Sequence, residues 1–159
     1  MANTQSMCTS FLGQLLSAGH NFANNNVART ANTVDTFKAA LYLTTATINA
    51  ATTAYASGNE VSGTNYTAGG VTVTNANNPA STNSSSTAGV GYWTPSASIV
   101  YTNVTLSTAF DTMLLYNSSQ SNAAVAAYTF GSQTITAGNF TLTMPSNTTT
   151  TALVRLSTT

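Results

Sequence analysis

The sequence predicts a mainly all-β protein, an antiparallel two-sheet sandwich of jelly-roll type with a short N-terminal helix, a barrel being the alternative closure. Three observations carry that expectation. Short alternations of apolar and polar residues recur from Phe37 onward, clusters of Gly, Asn, Ser and Pro separate them, and no helical stripe falls between them. Thr fills many of the polar positions, and its β-branched side chain suits a pleat while its hydroxyl keeps the outer face wet.

Taken in order, Ser6 to Ala18 carries Met7, Phe11, Leu12, Leu15 and Leu16 at the spacing of a short amphipathic helix, with Ser6 as its cap and Gly19 as its stop. Such a helix lies over its own domain or docks on a neighbour. Asn24, Asn25 and Asn26 read as loop, so residues 1–34 form an N-terminal helix and arm and residues 35–159 the β-sandwich domain. The first strand runs from Phe37 to Leu43, where Phe37, Ala39, Leu41 and Leu43 alternate with Lys38, Ala40 and Tyr42. Ile48 to Tyr55 reads as a short helical turn, and Gly58 to Gly70 as an irregular loop whose glycines permit positive φ. Val71 and Val73 alternate with threonines, and the polar run from Asn75 to Gly91 reads as one long loop. Strands are then expected at Tyr92–Thr94, Ile99–Leu106, Thr112–Asn117, Ala124–Phe130, Phe140–Met144 and Ala152–Leu156, with a further piece at Gln133–Thr136. Turn chemistry parts them at Asn117-Ser118-Ser119, Gly131-Ser132, Ala137-Gly138-Asn139 and Pro145-Ser146-Asn147.

Charge is the most selective property of the chain. Its 159 residues are 42% hydrophobic, which argues against disorder, yet only 4% are charged, against about 25% in an ordinary soluble protein. The full set is Arg29, Asp35, Lys38, Glu60, Asp111 and Arg155, and the net charge is zero. Nothing electrostatic keeps copies apart, so homo-oligomerisation is expected. The same shortage removes the cationic surface that nucleic acids and anionic membranes require, so neither is an expected partner. Few charges also leave strand edges unguarded, and an unguarded edge calls for a cover. No basic leader or long apolar run is seen, so neither export nor membrane insertion is expected. Six N-x-S/T triplets occur, as expected by chance in a chain this rich in Asn, Ser and Thr.

No catalytic, cofactor or metal site is expected. His20 is the only histidine, and a nucleophile and base would have to be built from it with Cys8, the only cysteine, or one of the serines, with Asp35 or Asp111 orienting the ring, at spacings that match no signature. The structural reading of His20 is an imidazole on the last carbonyls of the first helix. Glu60, inside the Gly-rich loop, is expected to accept backbone N–H groups and set the loop's shape. Tyr92 and Trp93, with Met7, Phe11, Leu12 and Leu15 of the helix, are the candidate partner-contacting residues, the competing reading of Trp93 being a core side chain.

Met7-Cys8-Thr9-Ser10-Phe11, Asp35-Thr36-Phe37-Lys38-Ala39-Ala40-Leu41-Tyr42, Glu60-Val61-Ser62-Gly63-Thr64-Asn65-Tyr66-Thr67-Ala68-Gly69-Gly70 and Leu114-Leu115-Tyr116-Asn117 together resemble a family of small structural proteins of tailed-bacteriophage virions. The resemblance covers the N-terminal half and, more loosely, the C-terminal half, and the run from Asn75 to Gly91 has no counterpart in it. It implies a non-enzymatic particle component, made in the host cytoplasm and carried on the virion. Within that setting the expectation is a capsid decoration or cement protein whose partners are the major capsid protein and copies of itself. The alternative is a tail- or fibre-associated adhesin for a host-surface glycan.

Overall fold

The computed structural model describes residues 3–8, 20, 22, 34–82 and 90–157. Those residues form eight β-strands, β1 (Ser6–Met7), β2 (Phe37–Leu43), β3 (Val71–Thr72), β4 (Ala80–Ser81), β5 (Val90–Trp93), β6 (Ile99–Asn117), β7 (Ala123–Leu142) and β8 (Val154–Ser157). The protein is all-β, with two antiparallel sheets: one of five strands in the order β1-β7-β6-β2-β3, the other of three in the order β4-β5-β8. The chain divides into two compact units. The first comprises residues 1–20, 35–73 and 100–141 and holds the five-stranded sheet; the second comprises residues 21–34, 74–99 and 142–159 and holds the three-stranded one.

The first unit is built on β2. Its alternation produces the expected strand, paired antiparallel to β6 from Phe37↔Asn117 to Leu43↔Phe110, with a register shift after Tyr42. The expectation of one buried face falls short, because Phe37, Ala39, Ala40, Leu41 and Tyr42 are all buried. The small Ala40 on the second face lets the backbone of Gly70 lie against it, and a Cβ on Gly70 would overlap the Ala39 carbonyl. Gly70 also holds φ at +69°, so both its backbone angle and its lack of a side chain are used.

The sequence divides β6 and β7 into shorter pieces, and the structure joins them. Ile99–Leu106 and Thr112–Asn117 are parts of one 19-residue strand, and Ala124–Phe130, Gln133–Thr136 and the start of Phe140–Met144 are parts of one 20-residue strand. The expected turns at Gly131-Ser132 and Ala137-Gly138-Asn139 are folds within a continuous strand. Phe130 and Phe140 prove it: their ring centroids are 5.3 Å apart, whereas ten residues of straight strand span about 33 Å. Ala137 and, on β6, Asn103 adopt positive φ near the fold, as expected where extra twist is needed. Inside it, Phe140 meets Phe110 at 5.0 Å and Tyr101 at 6.0 Å, an aromatic centre that joins Leu106, Val104 and Met113 in the core.

Three expectations are corrected. Ser6 and Met7 do not begin a helix: they pair with Ala127 and Ala126 of β7, and the Cys8 N–H continues the ladder onto the Val125 carbonyl at 3.1 Å. Residues 123–127 of β7 are buried, so their backbone groups demand partners, and the chain's first segment supplies them. The remainder of the expected helix, with Phe11, Leu12, Leu15 and Leu16, lies outside the described residues. The polar run from Asn75 to Gly91 is not all loop either, because Ala80 and Ser81 pair with Tyr92 and Gly91 as β4. The polar side chains there carry no apolar alternation to announce a strand, and β5 imposes it by offering an edge. Ile48 to Tyr55 holds no helix; a hydrogen-bonded turn from Thr52 N–H to the Asn49 carbonyl stands there.

The second unit is organised on Trp93, which is 2% exposed. Its indole N–H donates to Asn75 Oδ1 at 3.0 Å and to the Asn77 carbonyl at 3.2 Å, and Phe22 packs on the ring at 4.6 Å. Asn75 turns its amide to the Phe22 carbonyl at 2.7 Å, so the polar edge of the indole is satisfied by residues that fix its neighbours. β8 closes the sheet through Trp93↔Val154 and Tyr92↔Arg155.

Candidate functional site

Three constellations deserve a chemical reading, all in the first unit. In the first, Glu60 lies between tyrosines. Its Oε1 accepts from the Tyr66 hydroxyl at 2.7 Å and from the Gly69 N–H at 2.8 Å, and its Oε2 from the Tyr55 hydroxyl at 2.7 Å. The Gly-rich loop is therefore shaped around a carboxylate, as its sequence position predicts, although two of the three donors are phenols. The Tyr66 oxygen in turn accepts from the Leu41 N–H, and the Tyr116 hydroxyl donates to the Gly69 carbonyl at 2.8 Å. Tyr55 stacks on Tyr116 at 4.8 Å, and Tyr66 on Tyr101 at 5.9 Å. Burial, and after it the Glu60 carboxylate, pushes the Tyr101 and Tyr116 phenols up, while for Tyr66 and Tyr55 the hydrogen bond to Glu60 adds to both. All of these phenols are protonated donors at neutral pH. The cluster locks a loop and leaves Glu60 as an acceptor in use.

The second constellation contains the residues from which a nucleophile–base pair would have to come. His20 is 8% exposed and Asp35 9%, and both meet the fully buried amide of Asn117, which approaches His20 Nδ1 at 3.1 Å and donates to Asp35 Oδ2 at 2.7 Å. Burial lowers the His20 pKa, and Asp35 partly offsets this. Neither of the other expected participants is brought to it. The Cys8 thiol, buried and pushed up to about 11 by desolvation, points at the Asn49 carbonyl, 3.9 Å away. Asp111 accepts from the Asn3 amide at 2.7 Å and from the Thr112 hydroxyl at 2.8 Å. A thiol held protonated is no nucleophile at neutral pH. Among the described residues no group of three His, Cys, Asp or Glu side chains is placed to hold a metal ion.

The third is a surface. From Gly131 to Ala137 the side of β7 is exposed except at half-buried Ile135, and on β6 Val100, Thr102, Asn103, Ser107 and Thr108 are exposed as well. One edge of β7 faces β6, and the other is met by the N-terminal segment from Val125 to Thr129, whose hydroxyl reaches Gln5, so past Thr129 no named strand among the described residues takes it up. Between Asp111 and Arg155 the sequence contains no charged residue, and this edge has no Lys, Glu or Pro to guard it. Thr129, Phe130, Ile135 and Phe140 are half-buried, and the exposed positions between Phe130 and Phe140 are Gly, Ala, Ser, Thr, Gln and Asn, none of them charged. The arrangement can pair through its backbone and through neutral side chains, and it has no means of attracting a charged ligand.

The sequence-predicted contact residues fare differently. Tyr92 is half-exposed on β5, while Trp93 is spent on the core of the second unit. Met7 lies in β1, and Phe11, Leu12 and Leu15 fall outside the described residues. Sequence reasoning missed Asn117, which looked like a turn residue, because nothing local announces a buried amide. No protein-family model, no curated protein and no solved structure matches the chain.

Proposed function

We propose that this chain is a non-enzymatic structural subunit of a tailed-phage particle, and that it works as a decoration protein bound to the major capsid lattice and to copies of itself. The observation that carries the assembly half of this reading is the uncharged, exposed outer half of β7. An edge of that kind is a template for another strand or a covering surface. A chain with zero net charge and three cations associates through hydrogen bonds and apolar area, so its contacts resist salt. The particle setting rests on the sequence resemblance. The two finer features of the reading, a jelly-roll body and an N-terminal helix that clasps a neighbouring subunit, rest on the spacing of the short strands and on the apolar stripe of the first segment.

Decoration is preferred to a tail or fibre adhesin because the chain has no shaft repeat and no heptads for a fibre to stand on. The adhesin reading draws on half-exposed Tyr92 beside the polar run. Cryo-EM of the purified particle, with shell symmetry imposed, separates them. Density of this size at every capsomer is the expected result. A bare shell with the chain confined to the tail or vertices overturns decoration and favours the adhesin, and a particle lacking the chain altogether removes the virion setting.

A further inference from the structure

The amide of Asn117 is oriented by two partners that admit one solution. Its Oδ1 accepts from the Ser119 N–H at 3.0 Å, which only an oxygen can do, and its Nδ2 donates to Asp35 Oδ2 at 2.7 Å, which only the NH2 group can do against a carboxylate. A flipped amide would set oxygen against carboxylate and N–H against N–H. The second hydrogen of Nδ2 then points to His20 Nδ1, 3.1 Å away. His20 Nδ1 must therefore be an acceptor, which makes the ring neutral with its proton on Nε2.

We propose that His20, Asn117 and Asp35 form an acid-labile clasp that joins three separate parts of the chain, the segments at residues 20 and 35 and the β6–β7 turn, and opens when His20 takes up a proton. Protonation puts an N–H on Nδ1, so two donors then face each other across 3.1 Å in a buried site. The amide has nowhere to turn, since its oxygen is held at the start of the turn by Ser119. The imidazolium's natural counter-ion, Asp35, sits on the far hydrogen of the same amide, with Gln120 Nε2 on its other oxygen at 3.3 Å, so forming the ion pair means displacing Asn117. Among the described residues, the strand β2 sets Phe37 against the ring, stacked at 6.4 Å, and β6 sets the uncharged amide of Asn117 there, while the uncharged Gln120 of the turn reaches Asp35. Asp35 is, among the described residues, the ionisable group that acts on the ring electrostatically.

The sign follows from the tilt of the equilibrium. Burial holds the folded pKa below the ordinary value of 6.5, so the unfolded chain binds the proton more readily. The clasp's contribution is complete above about pH 6.5 and is lost as pH falls through the folded pKa.

His20 is the only histidine, so its ring resonances need no assignment. Nitrogen-15 and proton NMR of the whole chain at neutral pH should show Nδ1 as the unprotonated nitrogen, with a titration midpoint below that of free histidine. Asn117→Asp, which places a carboxylate oxygen where the NH2 group stood, should move the midpoint above it. If that variant does not fold, His20→Gln serves: the wild-type melting temperature should fall by about 3 °C between roughly pH 7 and pH 5, and the variant should lose most of that dependence. A proton on Nδ1 in the neutral ring, or a midpoint at or above that of free histidine, overturns the clasp. So does a His20→Gln chain with the same pH dependence as wild type.

Discussion

Phe130 and Phe140 belong to the same strand, and their rings lie 5.3 Å apart. That contact folds the β6–β7 ribbon back on itself and creates its inner and outer sides. Phe110 stands edge-on to both rings, at 6.0 and 5.0 Å, and is itself fully buried. The outer side is the exposed, uncharged stretch of β7. The aromatic centre and the proposed assembly surface are thus two faces of one bend.

The bend is held by apolar contact, so its members should couple. Phe110→Ala is expected to cost about 3–5 kcal/mol, as for any fully buried ring. Phe130→Ala and Phe140→Ala, at half-buried positions, should each cost less, and a double-mutant cycle between them should return about 1 kcal/mol of coupling. Urea unfolding of the three variants and the double variant measures this. Strict additivity would mean that the rings touch without supporting each other.

Glu60→Gln tests the loop lock. A glutamine offers one acceptor and one donor where Tyr66, Tyr55 and the Gly69 N–H all require an acceptor, so at least one donor is stranded. The expected loss is about 1–3 kcal/mol. Tyr66→Phe should approach that figure and Tyr55→Phe, whose hydroxyl is nearer solvent, should fall below it. Denaturant midpoints rank the three.

The phenols give the chain an alkaline limit. Tyr42 is pushed up to about 12, chiefly by burial, and Tyr55, Tyr66, Tyr101, Tyr116 and Tyr128 are raised as well, burial being the largest cause in each. A phenol with a raised folded pKa favours folding fully below its unfolded value of about 10, and the advantage disappears as pH climbs through the folded value. Phenolate absorbance should therefore lag behind that of free tyrosine and then rise together with loss of the native circular dichroism. A smooth titration near pH 10 with the fold intact would contradict the burial described for these rings.

A single charge should disable the outer edge of β7. Thr134→Lys, on an exposed position, is expected to change stability by no more than about 0.5 kcal/mol, yet to weaken self-association at least about tenfold, because two like charges meet at a paired edge. Ser57→Lys, also exposed but in a loop, is the control. Sedimentation velocity over a concentration series, repeated at high salt to screen the added charge, reads the effect.

Much of this protein was legible in order of residues alone. The β class, the boundaries of β2, the sites of β3, β5 and β8, and the role of Glu60 all follow from period-two alternation, from turn residues and from the scarcity of charge, which are local or compositional signals. The bends at Gly131-Ser132 and Ala137-Gly138-Asn139 were also visible, but as breaks between strands: turn chemistry shows where a chain can fold and not whether its ladder continues through. Tertiary structure alone decided the rest. The continuity of β6 and β7, the β4 pairing inside a polar run, the extended path of Ser6 and Met7, and the meeting of His20, Asn117 and Asp35 each depend on a partner distant in the chain. A backbone edge or a buried amide selects that partner by the hydrogen bonds it would otherwise lack, and no local pattern encodes such a demand.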